Sequence, residues 1–231
     1  MNHILVILSN KSYIVLKENT MRRLEQLKRH LKPGAVYRRS DLAEWSKSVD
    51  RHARALLDTG VLKKLRTGLY YCPKKSVFGD VPADDNKLVK SFLKDDQFLL
   101  TSPNAYNSLG LGTTQLYNTQ VVYNYKRHGV YELGGRKFEF RRKYQFPNKV
   151  TEEFLLVDLM NNLNSLAEDQ EALRARVREK ARSMEAKKLK QAVKKYANNT
   201  SKKYFDSVLT HATCPLSPRA KRIHRTTSNH S

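Results

Sequence analysis

Cysteine is scarce in this sequence, and the motifs of common catalytic sites are missing. The two cysteines, Cys72 and Cys214, lie far apart, and neither has another Cys or a His at the spacing of metal ligands. The chain has no phosphate-binding Gly-x-x-x-x-Gly-Lys loop, no Gly-x-Ser-x-Gly turn, no His-Glu-x-x-His helix and no Asp-x-Asp pair. We therefore expect no disulfide framework, no metal, no cofactor and no enzymatic activity.

Long apolar runs are also missing. The longest near the start, Ile4–Leu8, is far shorter than the roughly 18 residues of a membrane span. It is also too short for the core of a signal peptide. We expect a cytoplasmic protein without a membrane partner. Residues 1–19 are interpreted as an extension, which leaves open a small hairpin, a loosely ordered segment or a translation start at Met21.

Acidic residues are few relative to basic ones. The chain has 44 Lys and Arg against 22 Asp and Glu, which gives a formal net charge of +22 and a sequence pI of about 10.0. A protein with this charge repels itself and attracts polyanions. Basic composition of this degree is typical of proteins that bind DNA or RNA.

Residues 20–75 have the pattern of a winged helix-turn-helix DNA-binding domain. Apolar residues at helical spacing predict a first helix from Thr20, which Pro33-Gly34 ends. A second helix is predicted to begin at Ser40-Asp41, with Leu42 and Trp45 inward. Two strands should follow a third helix and form a hairpin around a glycine turn. The bounds predicted for the third helix and the two strands are Ser48–Asp58, Val61–Leu65 and Leu69–Cys72.

The third predicted helix divides into an apolar and a basic face. Val49, Ala53, Leu56 and Leu57 share one face, and Arg51 and Arg54 lie opposite with His52 at the edge. A recognition helix needs such a division, because arginine reaches guanine edges in the major groove. We predict that Arg51 and Arg54 read bases with help from His52; the alternative is that they are solvated surface charges. The remaining predicted DNA contacts are Lys63, Lys64 and Arg66 in the hairpin, which would bind phosphate, and Arg38, Arg39 and Ser48.

The rest of the chain is predicted to form an α+β domain over residues 84–210, ending in basic helices. Pro73–Asp84 carries two prolines and a glycine and is interpreted as a linker between two independent cores. Asp85 is interpreted as a helix cap, and one long helix is expected from Ala167 to Tyr196. Residues 211–231 are interpreted as a disordered basic tail.

Two segments together resemble the AbiEi-type antitoxins of bacterial type IV toxin–antitoxin systems, which act in abortive infection and phage defence. The first is the hairpin phrase Leu57–Tyr71, and the second is Leu100–Gly112, with the similarity continuing to Phe138–Arg142. The resemblance implies a transcriptional repressor that binds its own promoter, with inverted repeats as the expected operator. It also implies an antitoxin that counteracts a nucleotidyltransferase-like toxin, and the missing Asp-x-Asp pair fits the antitoxin rather than the toxin.

The basic stretch from Arg174 to Lys203 supports an alternative. It contains 12 basic and 2 acidic residues. Such a stretch is often a solvated helix face, but it could also contact phosphates or an acidic protein partner. The alternative function is therefore an RNA- or ribosome-binding module without antitoxin activity, and a more distant one is an enzyme acting on nucleic acid with a dispersed active site.

Overall fold

The computed structural model describes residues 21–111 and 116–211, and they form a mixed α+β fold with several small sheets. The predicted extension at residues 1–19 and the predicted tail beyond residue 211 lie outside the described residues. Of the described residues, those within Met1–Ala105 and Gln115–Val150 form one compact unit. Those within Tyr106–Thr114 and Thr151–Ser231 form a second unit.

The first unit begins with helices and strands in the order α1-β1-α2-α3-β2-β3. Helix α1 covers residues 21–30 of the described chain, and the three strands pair in the antiparallel order β1-β3-β2. Gly68, at a φ of +75°, turns β2 into β3, as the sequence predicted. Strand β1 was not predicted, since only three residues form it. The bounds after α1 are β1 Val36–Arg38, α2 Arg39–Trp45, α3 Val49–Asp58, β2 Lys63–Arg66 and β3 Leu69–Tyr71.

Strand β3 lies between two hydrophobic cores. Tyr70 and Cys72 pack into the first core, with Leu27, Leu42 and Leu56 of the three helices. Leu69, whose side chain points to the other face of the strand, packs into a second core. The remaining buried members of that second core are Leu88, Val89, Leu93, Val122, Leu133, Phe138 and Phe140.

A hairpin occupies the segment that was interpreted as a linker. Strands β4 (Lys74–Ser76) and β5 (Gly79–Val81) pair antiparallel, and the Tyr71 hydroxyl donates a 2.7 Å hydrogen bond to the Val81 carbonyl. Both cores lie in the first unit, so the segment does not separate two units. The turn residues of the hairpin resemble those of a linker in composition, which explains the different prediction.

Helix α4 (Asp85–Leu93) follows, and its cap is Asp84 rather than the predicted Asp85. The Asp84 carboxylate accepts a 2.9 Å hydrogen bond from the Lys87 amide. The neighbouring Asp85 instead forms an ion pair with Arg136 at 2.5 Å. The one-residue difference arises because either aspartate could serve as the cap, and only the tertiary partner distinguishes them.

A four-stranded sheet of order β6-β7-β9-β8 covers the second core. Apolar runs and alternation in the sequence predict strands at Gln97–Thr101, Thr119–Tyr125, Val130–Leu133 and Arg136–Arg142, and the structure confirms each of them to within a residue at either end. Strand β9 pairs parallel with β7 and antiparallel with β8, so its buried Phe138 and Phe140 lie in the middle of the sheet. The bounds are β6 Phe98–Thr101, β7 Thr119–Asn124, β8 Gly129–Leu133 and β9 Arg136–Arg142, and a 3-10 helix, Pro103–Leu109, follows β6.

The second unit is helical around α5 (Glu152–Asn161). Every residue of α5 from Phe154 to Met160 is buried, and the Tyr106 hydroxyl donates a 2.8 Å hydrogen bond to the buried Asp158 carboxylate. The predicted single long helix is wrong, because the chain becomes extended at Met184 and a second helix packs on α5. The remaining bounds are α6 Gln170–Ser183, α7 Ala186–Tyr196 and α8 Asn199–His211.

Within residues 21–111 and 116–211, no helix is both long and apolar enough to cross a membrane.

Candidate nucleic-acid interface

Helix α3 has the two faces that the sequence predicted. Val49, Ala53 and Leu56 are buried in the first core. Arg51 and Arg54 are exposed on the other side. Among the described residues neither arginine forms an ion pair, and Arg51 makes a long 3.4 Å contact with the Ser48 hydroxyl. Ser48 precedes the helix but makes no side-chain capping bond, so its hydroxyl is a partner of Arg51 rather than a cap.

His52 is not at the edge of the exposed face, where the projection placed it. Its side chain is 2% exposed, and its Nδ1 lies 2.7 Å from the buried Ser46 hydroxyl. Its Nε2 is buried without a hydrogen-bond partner among the described residues. The prediction that His52 contacts DNA is therefore corrected. The imidazole lies against the preceding turn, where α2 packs on α3.

The buried His52 predicts a pH-dependent stability. Burial lowers the pKa of His52 below its ordinary value near 6.5, and the charges of Arg51 and Arg23 lower it further. The folded state therefore holds the proton less tightly than the unfolded state. The stabilisation is fully present above about pH 6.5 and is lost as the pH falls through the lowered pKa.

We expect the wild-type chain to lose more free energy of unfolding than His52→Gln between pH 7.5 and pH 5. The difference between the two losses cannot exceed the effect of one proton, which is about 1.4 kcal/mol per pH unit. Urea unfolding at both pH values measures it, and the variant corrects for all other titrating groups. Equal losses in the two proteins would show that His52 does not titrate with folding.

Two of the predicted arginines, Arg38 at the end of β1 and Arg39 at the start of α2, are held by carboxylates. Arg39 donates two hydrogen bonds to Asp50, in the first turn of α3, at 2.7 and 2.6 Å. This pairing lowers the pKa of the Asp50 carboxyl. Arg38 forms an ion pair with Asp41 at 3.4 Å. Because the Arg39–Asp50 pair is exposed, a phosphate could replace the Asp50 carboxylate as the partner of Arg39.

The three cations of the β2–β3 hairpin have different surroundings. Lys63 forms a 2.8 Å ion pair with Asp80 of β5, and Lys75 also contacts that carboxylate at 2.7 Å. Lys64 is exposed and has no ion-pair partner in the described part of the chain. Arg66 is also exposed, and its guanidinium lies over the ring of Tyr131, 4.9 Å from its centroid. Lys64 is thus the most available of the three for a phosphate.

Comparisons with protein-family models, with curated proteins and with solved structures found no match. The interpretation of this surface consequently depends on its geometry and charge, with the resemblance of the sequence beside it.

Two cations near the predicted site were missed by sequence reasoning. Lys94 is the C-cap of α4 and Arg127 lies in the β7–β8 turn, and both residues line the same space as Arg39 and Arg66. They lie 28 to 88 positions from these arginines in the sequence, so no local pattern links them; only the fold brings them together. Among the described residues no group of three or more His, Cys, Asp or Glu could hold a metal ion. The cations that line this surface are suited to contact with an anion.

Proposed function

We propose that this chain binds duplex DNA through residues 20–75 acting as a winged helix-turn-helix, with α3 as the recognition helix. The observation that carries the proposal is the division of α3 into a buried apolar face and an exposed face with Arg51 and Arg54. The buried face fixes the helix, so that the arginines are presented from a rigid element.

The order of elements supports this proposal. Helices α1, α2 and α3 precede a β2–β3 hairpin, and β1 joins the same sheet, as would be expected for a winged helix. Lys64 lies on the hairpin, on an exposed edge strand, where a wing would contact the backbone of the duplex. Base reading by α3 and phosphate contact by the hairpin would then divide the two tasks of a DNA-binding protein.

Helix dimensions favour DNA over double-stranded RNA. Helix α3 has 10 residues and is about 15 Å long. The major groove of B-form DNA, about 12 Å wide, admits a helix, whereas the deep major groove of A-form RNA does not. A helix that presents two arginines outward is therefore suited to duplex DNA.

The resemblance to AbiEi-type antitoxins adds two cellular roles to the proposal. We propose that the chain represses its own promoter and counteracts a nucleotidyltransferase-like toxin encoded beside it. Growth of cells that express the neighbouring toxin, with and without this chain, tests the second role. Growth rescue by an Arg51→Ala, Arg54→Ala double variant would separate antitoxin activity from DNA binding, whereas no rescue by the wild-type chain would refute that activity.

The different surroundings of Lys63 and Lys64 predict different effects on DNA binding. Lys64→Gln should flatten the plot of log affinity against log salt by about one unit, because one phosphate contact is lost. Lys63→Gln should flatten it less, since Asp80 already neutralises that ammonium group. Fluorescence anisotropy at several salt concentrations measures both slopes.

Lys149→Gln serves as the control for these two variants, because Lys149 is also exposed but lies in the segment before α5. Its slope should match that of the wild-type chain. If Lys64→Gln also leaves the slope unchanged, the β2–β3 hairpin does not contact DNA.

A further inference from the structure

A basic groove lies in the first unit, beside the start of α2. Its volume is about 360 Å³, and the β2–β3 turn, the end of α4 and the β7–β8 turn form its walls. None of the residues that line it is acidic. Its five cationic residues are Arg38, Arg39, Arg66, Lys94 and Arg127.

Two of these guanidinium groups contact the same aromatic ring. The Arg127 guanidinium lies 4.6 Å from the centroid of the Phe92 ring, and that of Arg66 lies 5.6 Å from the same centroid. Cation–π contact favours each position. Both residues line the groove, where their positive charges favour an anion.

The backbone that carries Arg127 is fixed by a buried asparagine. The Asn124 side chain is 1% exposed. Its oxygen accepts hydrogen bonds from the amides of Lys126 and Arg127, and its amide donates to the Arg127 carbonyl at 3.0 Å. The β7–β8 turn therefore presents Arg127 from a preorganised backbone, which lowers the entropy cost of binding a ligand.

Lys94 has a left-handed backbone conformation, which is unfavourable for a lysine. At the C-cap of α4 its φ is 56° and its ψ is 42°, and it is the only non-glycine residue with a positive φ among the described residues. Glycine or asparagine is usual at this kind of position, because a Cβ atom is strained there. This strained lysine is one of the residues that line the basic groove.

We propose that the basic groove binds a backbone phosphate of the same DNA duplex that α3 contacts. The inference depends on the proposed function, and it extends the DNA-binding surface beyond residues 20–75 to Lys94 and Arg127. Arg39 connects the two surfaces, because it lines the groove and also bonds Asp50 in the first turn of α3. In a duplex, backbone phosphates lie beside the end of a helix that enters the major groove. The basic groove lies beside the start of α3, because Arg39 reaches Asp50 there.

Lys94→Gly and Arg127→Gln test the groove in the full chain. Each variant should flatten the salt dependence of affinity by about one unit and weaken binding about fivefold at 0.15 M salt, on every DNA sequence equally. Lys94→Gly should also raise the thermal midpoint of unfolding by about 2–4 °C, because glycine tolerates the positive φ. A gain in stability with a loss of affinity cannot result from damage to the fold.

Lys87→Gln is the matched control, since Lys87 is an exposed lysine of the same helix that does not line the groove. If both groove variants keep the wild-type affinity and salt dependence while Arg51→Ala loses sequence discrimination, the basic groove does not contact DNA. The proposed function would then remain intact. If the wild-type chain shows no affinity for duplex DNA, the proposed function itself fails, and the groove as a DNA contact fails with it.

A separate experiment distinguishes DNA from a small phosphorylated ligand as the occupant of the basic groove. Calorimetric titration with ATP and with inorganic pyrophosphate should show no binding tighter than millimolar in the wild-type chain. Micromolar binding that Arg127→Gln abolishes, with the DNA salt dependence unchanged in that variant, would overturn the DNA contact in favour of a nucleotide site.

Discussion

Arg51→Ala and Arg54→Ala are each expected to weaken binding to the preferred operator by about 1–3 kcal/mol, or about 5- to 150-fold. Both arginines extend from the exposed face of α3, and a guanidinium can form two hydrogen bonds to one guanine. The loss should be largest for the preferred sequence and small for unrelated DNA. Competition shift assays with operator variants measure it.

Arg51→Lys separates base reading from charge. Lysine retains the positive charge but lacks the planar fork of arginine, so this variant should lose discrimination while it keeps the salt dependence. Arg29→Ala is the control, because Arg29 is exposed on α1 rather than on α3. If Arg51→Ala and Arg54→Ala lose affinity equally on every sequence, both residues contact phosphate and not bases.

The second large effect is expected for Leu69→Ala, which should lower the free energy of unfolding by about 2–5 kcal/mol. Leu69 is 4% exposed and packs among the aromatic residues of the four-stranded sheet, although it belongs to the small sheet of β1, β2 and β3. The cavity left by alanine would lie between the two sheets. Urea denaturation, followed by circular dichroism, measures the change.

Val77→Ala provides the matched control, because Val77 is 97% exposed at the tip of the β4–β5 hairpin. Its effect should stay within about 0.5 kcal/mol. A loss of less than about 1 kcal/mol in Leu69→Ala would indicate that the two cores are independent. For the same reason, a fragment that ends near residue 80 should be less stable than the corresponding part of the full chain, since Leu69 would lose its partners.

Sequence periodicity predicted most elements of the first unit. Helix α3 and strand β9 follow directly from the spacing of Val49, Ala53 and Leu56 and from the alternation around Phe138 and Phe140. Periodicity did not predict which core each face contacts. Leu69 illustrates the reason: a three-residue strand that alternates between two cores has no pattern long enough to indicate its partners.

The candidate site was predicted in part for a related reason. A projection at 100° per residue separates Arg51 and Arg54 from the apolar face, but it cannot resolve a residue at the boundary. His52 is such a residue, and its burial depends on the turn at Ser46, which the projection ignores. Lys94 and Arg127 could not be found at all, because their nearness to Arg66 arises from the packing of α4 on β1 and of β8 beside β2.

Recognition of a DNA sequence through α3 is tested most directly by one binding measurement. The full chain is titrated, at 0.15 M salt, with duplex DNA from upstream of its own gene, with a scrambled duplex of equal length and with duplex RNA of the same sequence. We expect the upstream DNA to bind at least about 10³-fold more tightly than the scrambled duplex, and the RNA to bind no better than the scrambled DNA. Equal affinity for the two DNA duplexes, or tighter binding to the RNA, would contradict the account.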